Sequence, residues 1–275
     1  MKTFKELKKE ITPEKILYFF AHFKSGKHPE HNIENNAGKE TDFFAHFKSG
    51  KHPEHNIDEK ILVPVRQRKT FKPELLKHLA GVKHHSKIPT PAADRKAVSN
   101  YTNISHGLNS GLIKNTIKEH RKNQVNSLDR VTTDKRNALN SPIKAYSGVS
   151  GRFGSMLRNI KKDGIVSSPA FISTSLNHKI AKGFAHEEWD AHKGVEYRNV
   201  LVFHLPKGFH KGRHISHLSA YDSGKTKEAP DISPDDKEHE FLMARNQEFK
   251  KIGETTRKLA GDQHMMYHHV APIDK

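Results

Sequence analysis

The stretch Phe171-Ile172-Ser173-Thr174-Ser175-Leu176, answered about sixty residues later by Glu238-His239-Glu240, decides the reading of this chain. An apolar pair followed by three hydroxyl side chains reads as a strand that leaves a core and ends polar. Two carboxylates separated by one residue share a face if their segment is extended, because side chains alternate along a strand. The two segments can meet in one cleft. The carboxylates would stabilise a positively charged transition state and serve the nucleophile that attacks it.

The rest of the composition narrows the setting. At 275 residues there is room for one ordinary domain and an appendage. Cysteine is absent, which excludes disulfides and thiolate chemistry and suits a reducing compartment. No apolar run approaches the ~18 residues of a membrane span, so no membrane partner is expected. Residues 1–14 alternate Lys and Glu without the apolar centre of a signal peptide, and a cytoplasmic location is the expectation. The net charge of +17, with the 22 histidines neutral, favours acidic or nucleic-acid-associated partners. The aromatic-and-basic interleaving of single-strand binders is missing.

The chain divides into unlike parts. Residues 19–33 recur unchanged as residues 43–57, too few copies for a solenoid. Residues 1–90 are read as a basic, partly flexible N-terminal region, and 91–275 as the functional domain. His84 to Ala93, with two prolines, reads as a linker, and Asp94 as a helix cap. Ala97, Val98, Tyr101, Ile104, Leu108 and Leu112 fall on one helical face, and a polar helix follows through Leu128 and Leu139. Beyond Pro142 come short β-type runs: 144–149, 170–175, 200–205, 214–218, 240–244, 249–252 and 265–271. Ile180 to Phe184 reads as a helix among them. Helices first and strands later make an α+β domain.

Four stretches, in order and at family-like spacing, resemble the ADP-ribosyltransferases of the arginine–serine–glutamate class, the cholera-toxin-like branch. They are Asn100-Tyr101-Thr102 with Leu108-Asn109; Lys144-Ala145-Tyr146-Ser147-Gly148-Val149; residues 169–176 leading into Ile180-Ala181-Lys182-Gly183-Phe184-Ala185; and residues 200–208 preceding Glu238-His239-Glu240-Phe241-Leu242-Met243-Ala244-Arg245. The wording is most similar to the enzymes of tailed bacteriophages. The resemblance implies two packed, mostly antiparallel sheets around an NAD cleft with helices at the N-terminal flank, and NAD+ as a substrate without a metal.

The resemblance also implies roles. Glu240 would stabilise the oxocarbenium-like ribose, Glu238 would activate an arginine acceptor, and Ser173 would position Glu240. Tyr146, Ser147, Gly148, Thr174, Ser175 and Phe184 would line the NAD site, Gly148 by allowing close backbone approach to the nicotinamide amide. Tyr221 would face the protein substrate. The family's first strand reads Tyr-Arg-Gly, its arginine gripping the NAD phosphates, whereas Ser147 stands here; Arg152, in a Gly-rich loop, is the candidate replacement. The implied targets are host cytoplasmic proteins, in transcription or translation. A weakened transferase fold serving as a basic nucleic-acid or protein binding module, or a transferase acting on nucleic acid, stays open. The histidines of 264–269 are read as strand residues, and His28, His31, His52 and His55 as a weak metal signal.

Overall fold

The computed structural model describes residues 65–149, 151–185, 187–190, 195–219, 238–259 and 261–273, with backbone course alone for 65–72, 151–152 and 187–190. The duplicated segment with its four histidines, and Tyr221, lie outside these residues. Among the described residues four α-helices come first: α1 (Val65–Val82), α2 (Ala92–Asn103), α3 (His106–Ile113) and α4 (Glu119–Thr133). They are followed by β1 (Ile143–Val149), α5 (Gly151–Asn159), β2 (Ile165–Ser168), β3 (Ile172–Ser175), α6 (His178–Gly183), β4 (Glu187–Asp190) and β5 (Val195–Leu205). The chain closes with β6 (Gly212–His214), β7 (Glu240–Met243), β8 (Gln247–Lys258) and β9 (Gln263–Pro272).

The nine strands form one ladder in the order β2-β8-β9-β5-β1-β3-β7-β6, with β4 on β5. Every pairing is antiparallel except β5 with β9. β1 and β3 share a single register pair, Tyr146↔Ser175, whereas β1 and β5 share seven. A ladder joined at one rung separates there, so the expected two sheets appear as a larger half ending at β1 and a smaller half of β3, β7 and β6.

Side-chain alternation decides what each half buries. Ile143, Ala145 and Val149 of β1, Leu201, Phe203 and Leu205 of β5, and Phe249 and Val270 face Ile172, Phe241 and Met243 of the smaller half across the main core. The opposite face of the smaller half, through Phe171, Ile215 and Leu242, packs on Val98, Tyr101, Leu108, Val125, Leu128 and Val131 of α2–α4. The opposite face of the larger half covers Tyr146, Val200, Val202 and Met265 with Ala181 of α6 and Ala185 just after it.

Several expectations are revised. The helical face ending at Leu112 is two helices, broken at Ile104, which caps α2 with φ −141° and is 67% exposed. Asp94 lies in the first turn of α2, not at its cap, and accepts from the Arg130 guanidinium at 2.6 Å. The polar helix stops at Thr133, short of Leu139, and residues 214–218 are strand only at His214, turning 3-10 from Ser216. The Gly-rich stretch after β1 is helical (α5), with Phe153 and Leu157 in the main core.

The linker reading of 84–93 also gives way. His85 is fully buried, donating from Nε2 to the Asn137 carbonyl and accepting at Nδ1 from the His214 amide, both at 2.9 Å. The Arg213 guanidinium, 2% exposed, donates to the carbonyls of His85 and Ile88 and to Thr90 Oγ1 at 2.8–3.0 Å. Leu75, Leu79 and Val82, on one face of α1, join the main core. Packing with the strands therefore begins ahead of the boundary read at residue 90.

Candidate active site

The glutamate pair and the serine strand meet at the edge of the smaller half. β3 and β7 pair with Ser175 opposite Glu240 and Ser173 opposite Leu242. Directly opposed residues share a face, and so do residues two apart, so Ser173, Ser175, Glu240 and Leu242 all look towards the α2–α4 layer. Ser173, Ser175 and Glu240 are each at most 1% exposed. Glu238 is half-buried, and Ser175 Oγ donates to its carbonyl while accepting from the Asn177 amide at 2.9 Å.

Glu238 does not belong to the strand. β7 begins at Glu240, and His239 between the two carboxylates has φ +44°. Side-chain alternation, which placed the glutamates on one face, does not extend through a left-handed residue. Their relation is set by a turn. The turn is held by the Leu176 amide donating to the His239 carbonyl (3.1 Å), the Ile215 amide donating to the Glu240 carbonyl (2.9 Å), and stacking of the His239 and His214 rings at 27° and 6.1 Å. Burial, and then the neighbouring His239, His85 and His217, push His214 down to about 3, so the His214 ring is neutral in this stack.

Behind Ser173 stands a relay from the helical layer. Tyr101, fully buried against Phe171, places its hydroxyl 3.2 Å from Ser173 Oγ. Asn109 Nδ2 donates to that hydroxyl (3.0 Å) and to the Phe171 carbonyl (3.3 Å). Burial raises the Tyr101 phenol well above its ordinary range; the hydrogen bonds to Ser173 and Asn109 oppose this and the Glu240 charge adds to it. Tyr101 and Asn109 are the groups that sequence reasoning quoted as motif but gave no place in the site. The signal was present in an asparagine set eight residues beyond a helical tyrosine, though their target in β3 is distant in sequence.

The other predicted residues are dispersed. Thr174 alternates to the opposite face from Ser173, and its hydroxyl donates to the Phe241 carbonyl at 2.6 Å. Ser147 is buried and donates to the Ser173 carbonyl at 3.3 Å, a neutral contact where the family pattern has a guanidinium. Tyr146 turns into the α6 layer, its ring against His178 and its hydroxyl donating to Glu74 Oε1 of α1 at 3.2 Å. Beside His78 (3.7 Å) and Lys144 (2.9 Å), and against the opposing effect of burial, the Glu74 carboxyl is held at about 2. That interaction was not anticipated.

Gly148 allows the close approach of a neighbouring segment of the chain. A Cβ there would lie 2.3 Å from the Ala181 carbonyl, 2.5 Å from the Phe184 carbonyl carbon and 2.6 Å from the Ala185 nitrogen. Its missing side chain makes room for the end of α6, where Phe184 is the capping residue. Arg152 lies in the first turn of α5, and Tyr221 lies outside the described residues. Among the described residues no group of three or more His, Asp or Glu is arranged to hold a metal ion. No described helix is long and apolar enough to cross a membrane.

No protein-family model and no curated protein matches the chain. Its architecture does match solved structures. The C3 exoenzyme of Clostridium limosum aligns over 71% of this chain and 94% of its own, with a TM-score of 0.50 and 15% identity. Plx2a, an ADP-ribosyltransferase toxin from Paenibacillus larvae, aligns over 76% and 96%, with a TM-score of 0.47 and 13% identity. At such identities the likeness is one of fold: the chain has the mixed helix-and-sheet fold of the ADP-ribosyltransferases.

Proposed function

We propose that the protein is an NAD-dependent mono-ADP-ribosyltransferase that modifies arginine side chains of proteins. The observation that carries this reading is the placement of Ser173, Ser175 and Glu240 on one face, with Glu238 pinned beside them through its carbonyl. The nicotinamide–ribose bond breaks with its electron pair leaving on nicotinamide, and the ribose takes on oxocarbenium character. Glu240, as a carboxylate at the ribose hydroxyls, stabilises that cation more than the ground state. A guanidinium nitrogen attacks the anomeric carbon, and Glu238 removes the proton that the new bond makes acidic.

In this reading Arg152 supplies the phosphate contact that Ser147 cannot. A charge-assisted hydrogen bond contributes ~1.5–3 kcal/mol, so Arg152→Ala raises the KM for NAD about 10- to 100-fold. The targets are host cytoplasmic proteins of transcription or translation, and Tyr221 reads their surface. Labelled NAD, host lysate and the full chain provide the test. Labelling on arginine, with agmatine accepted as a small surrogate, is expected. Persistence of labelling in Glu240→Gln removes the assignment of Glu240.

The buried, neutral Ser147 favours one alternative, a weakened transferase fold acting as a basic binding module. Salt-steep nucleic-acid binding without NAD turnover would support it. Turnover whose label is released by nuclease would move the acceptor to nucleic acid.

A further inference from the structure

We infer that Tyr101 and Asn109 are positioning residues for the transfer: a one-directional hydrogen-bond chain, Asn109 to Tyr101 to Ser173, leaves the Ser173 hydroxyl its own proton to donate on the face that carries Glu240. The inference rests on the proposed NAD chemistry and names residues outside its catalytic set.

The direction follows from donor and acceptor inventory. The Phe171 carbonyl can only accept, so the Asn109 atom 3.3 Å from it is the amide nitrogen. That same nitrogen lies 3.0 Å from the Tyr101 hydroxyl and donates to it. Tyr101 is fully buried and keeps its proton. A phenol has one proton, and with Asn109 donating, that proton is directed to Ser173 Oγ at 3.2 Å. A serine hydroxyl that accepts in this way has its own proton left to give. Ser173 shares its face with Glu240, two register positions from the Ser175↔Glu240 pair. Linked hydrogen bonds polarise one another, so each upstream donor strengthens the last.

Three sequence-distant elements are fixed by this arrangement. Asn109 belongs to α3, Tyr101 to α2 and Ser173 to β3, and the two helices are anchored on the same layer through Leu108 and Val98. Tyr101→Phe removes one oxygen and keeps the ring that meets Phe171 edge-on at 75°. Asn109→Asp keeps the shape but exchanges the donating nitrogen for an acceptor. The Tyr101 proton then turns to the new carboxylate and the chain runs backwards.

The experiment measures NAD turnover in the full chain, with Ser173→Ala as the reference background. Both Tyr101→Phe and Asn109→Asp should lower kcat about tenfold with KM for NAD within twofold. Tyr101→Phe should add nothing further in the Ser173→Ala background. Unchanged kcat, or losses that multiply across the double variant, would overturn the chain. An arrangement that merely supports the fold would lower unfolding temperature and leave kcat per folded molecule alone.

A second measurement is independent of turnover. In the wild-type chain with labelled tyrosine, NMR should show a slowly exchanging Tyr101 hydroxyl proton with a nuclear Overhauser contact to the Ser173 β protons. Fast exchange, or a contact to Asn109 alone, refutes the chain whether or not NAD is turned over. Absence of turnover in the wild type, with that contact present, defeats the proposed function and leaves the hydrogen-bond direction intact.

Discussion

Replacing Gly148 by alanine tests how closely α6 rides on β1. The new methyl would meet backbone in and just after α6, with contacts of 2.3, 2.5 and 2.6 Å to Ala181, Phe184 and Ala185. Ordinary contact begins near 3.4 Å, so the Ala181 carbonyl would have to retreat by about 1.1 Å. Ala181 and Ala185 are 0% and 3% exposed and fill the layer against Tyr146, Val200 and Val202, so the retreat loosens that whole face. Overpacking of a rigid site typically costs ~1–3 kcal/mol, and a clash with backbone belongs at the upper end. Gly183 is the control: it closes the same helix, and a Cβ there meets nothing within 4 Å. Gly183→Ala should be neutral or stabilising by up to ~1 kcal/mol. Urea unfolding of both variants is the assay, with NAD turnover measured alongside. A Gly148→Ala protein within ~0.5 kcal/mol of the wild type would refute the close approach of α6 to β1.

Other perturbations reach different parts of the fold. Burial, acting first, lowers His85, His178, His214 and His268 to about 3, against an ordinary value of 6.5. These groups stay neutral when folded and take protons when unfolded, so stability is intact above pH 6.5 and falls as pH drops from 6.5 towards 3. Each such histidine contributes a slope of up to about 1.4 kcal/mol per pH unit, and an unfolding temperature that stays level between pH 7 and 5 would contradict this. Arg213→Met strands the acceptors at His85, Ile88 and Thr90 and should cost about 2–3 kcal/mol by denaturant titration. Arg245 grips Asp129 through three contacts of 2.9–3.1 Å, tying the end of β7 to α4. A double-mutant cycle with Asp129→Asn and Arg245→Gln should return a coupling of about 1 kcal/mol, and a zero coupling would make the pair incidental.

What was legible in the sequence was local or repeated along one segment. β1, β3, β5 and β9 announce themselves by β-branched and aromatic runs, and Ser173, Ser175 and Glu240 by their order. β2 is a four-residue edge strand whose role becomes visible only beside β8. α5 was obscured by its glycines, although Phe153 and Leu157, four apart, point one way. Strand alternation and tertiary contacts set where the remaining residues read into the site lie. Thr174 and Tyr146 lie next to functional positions in the chain but alternate to other faces, where a carbonyl and the Glu74 carboxylate receive their hydroxyls. The left-handed turn at His239 carried no glycine to mark it. Arg213, buried by acceptors about 125 residues away in the chain, resembles any surface arginine in one dimension.

The parallel pairing of β5 with β9 has a consequence for the timing of synthesis. Among the described strands β9 is translated last, yet it lies between β8 and β5, near the middle of the larger half. Until it emerges from the ribosome, β5 and β8 have no common neighbour and β5 presents an open hydrogen-bonding edge. The glutamate-bearing strand is made earlier but rests on a scaffold still lacking its central member. The larger half of the sheet is therefore completed late, and an activity resting on it would be switched on only once translation had passed residue 272.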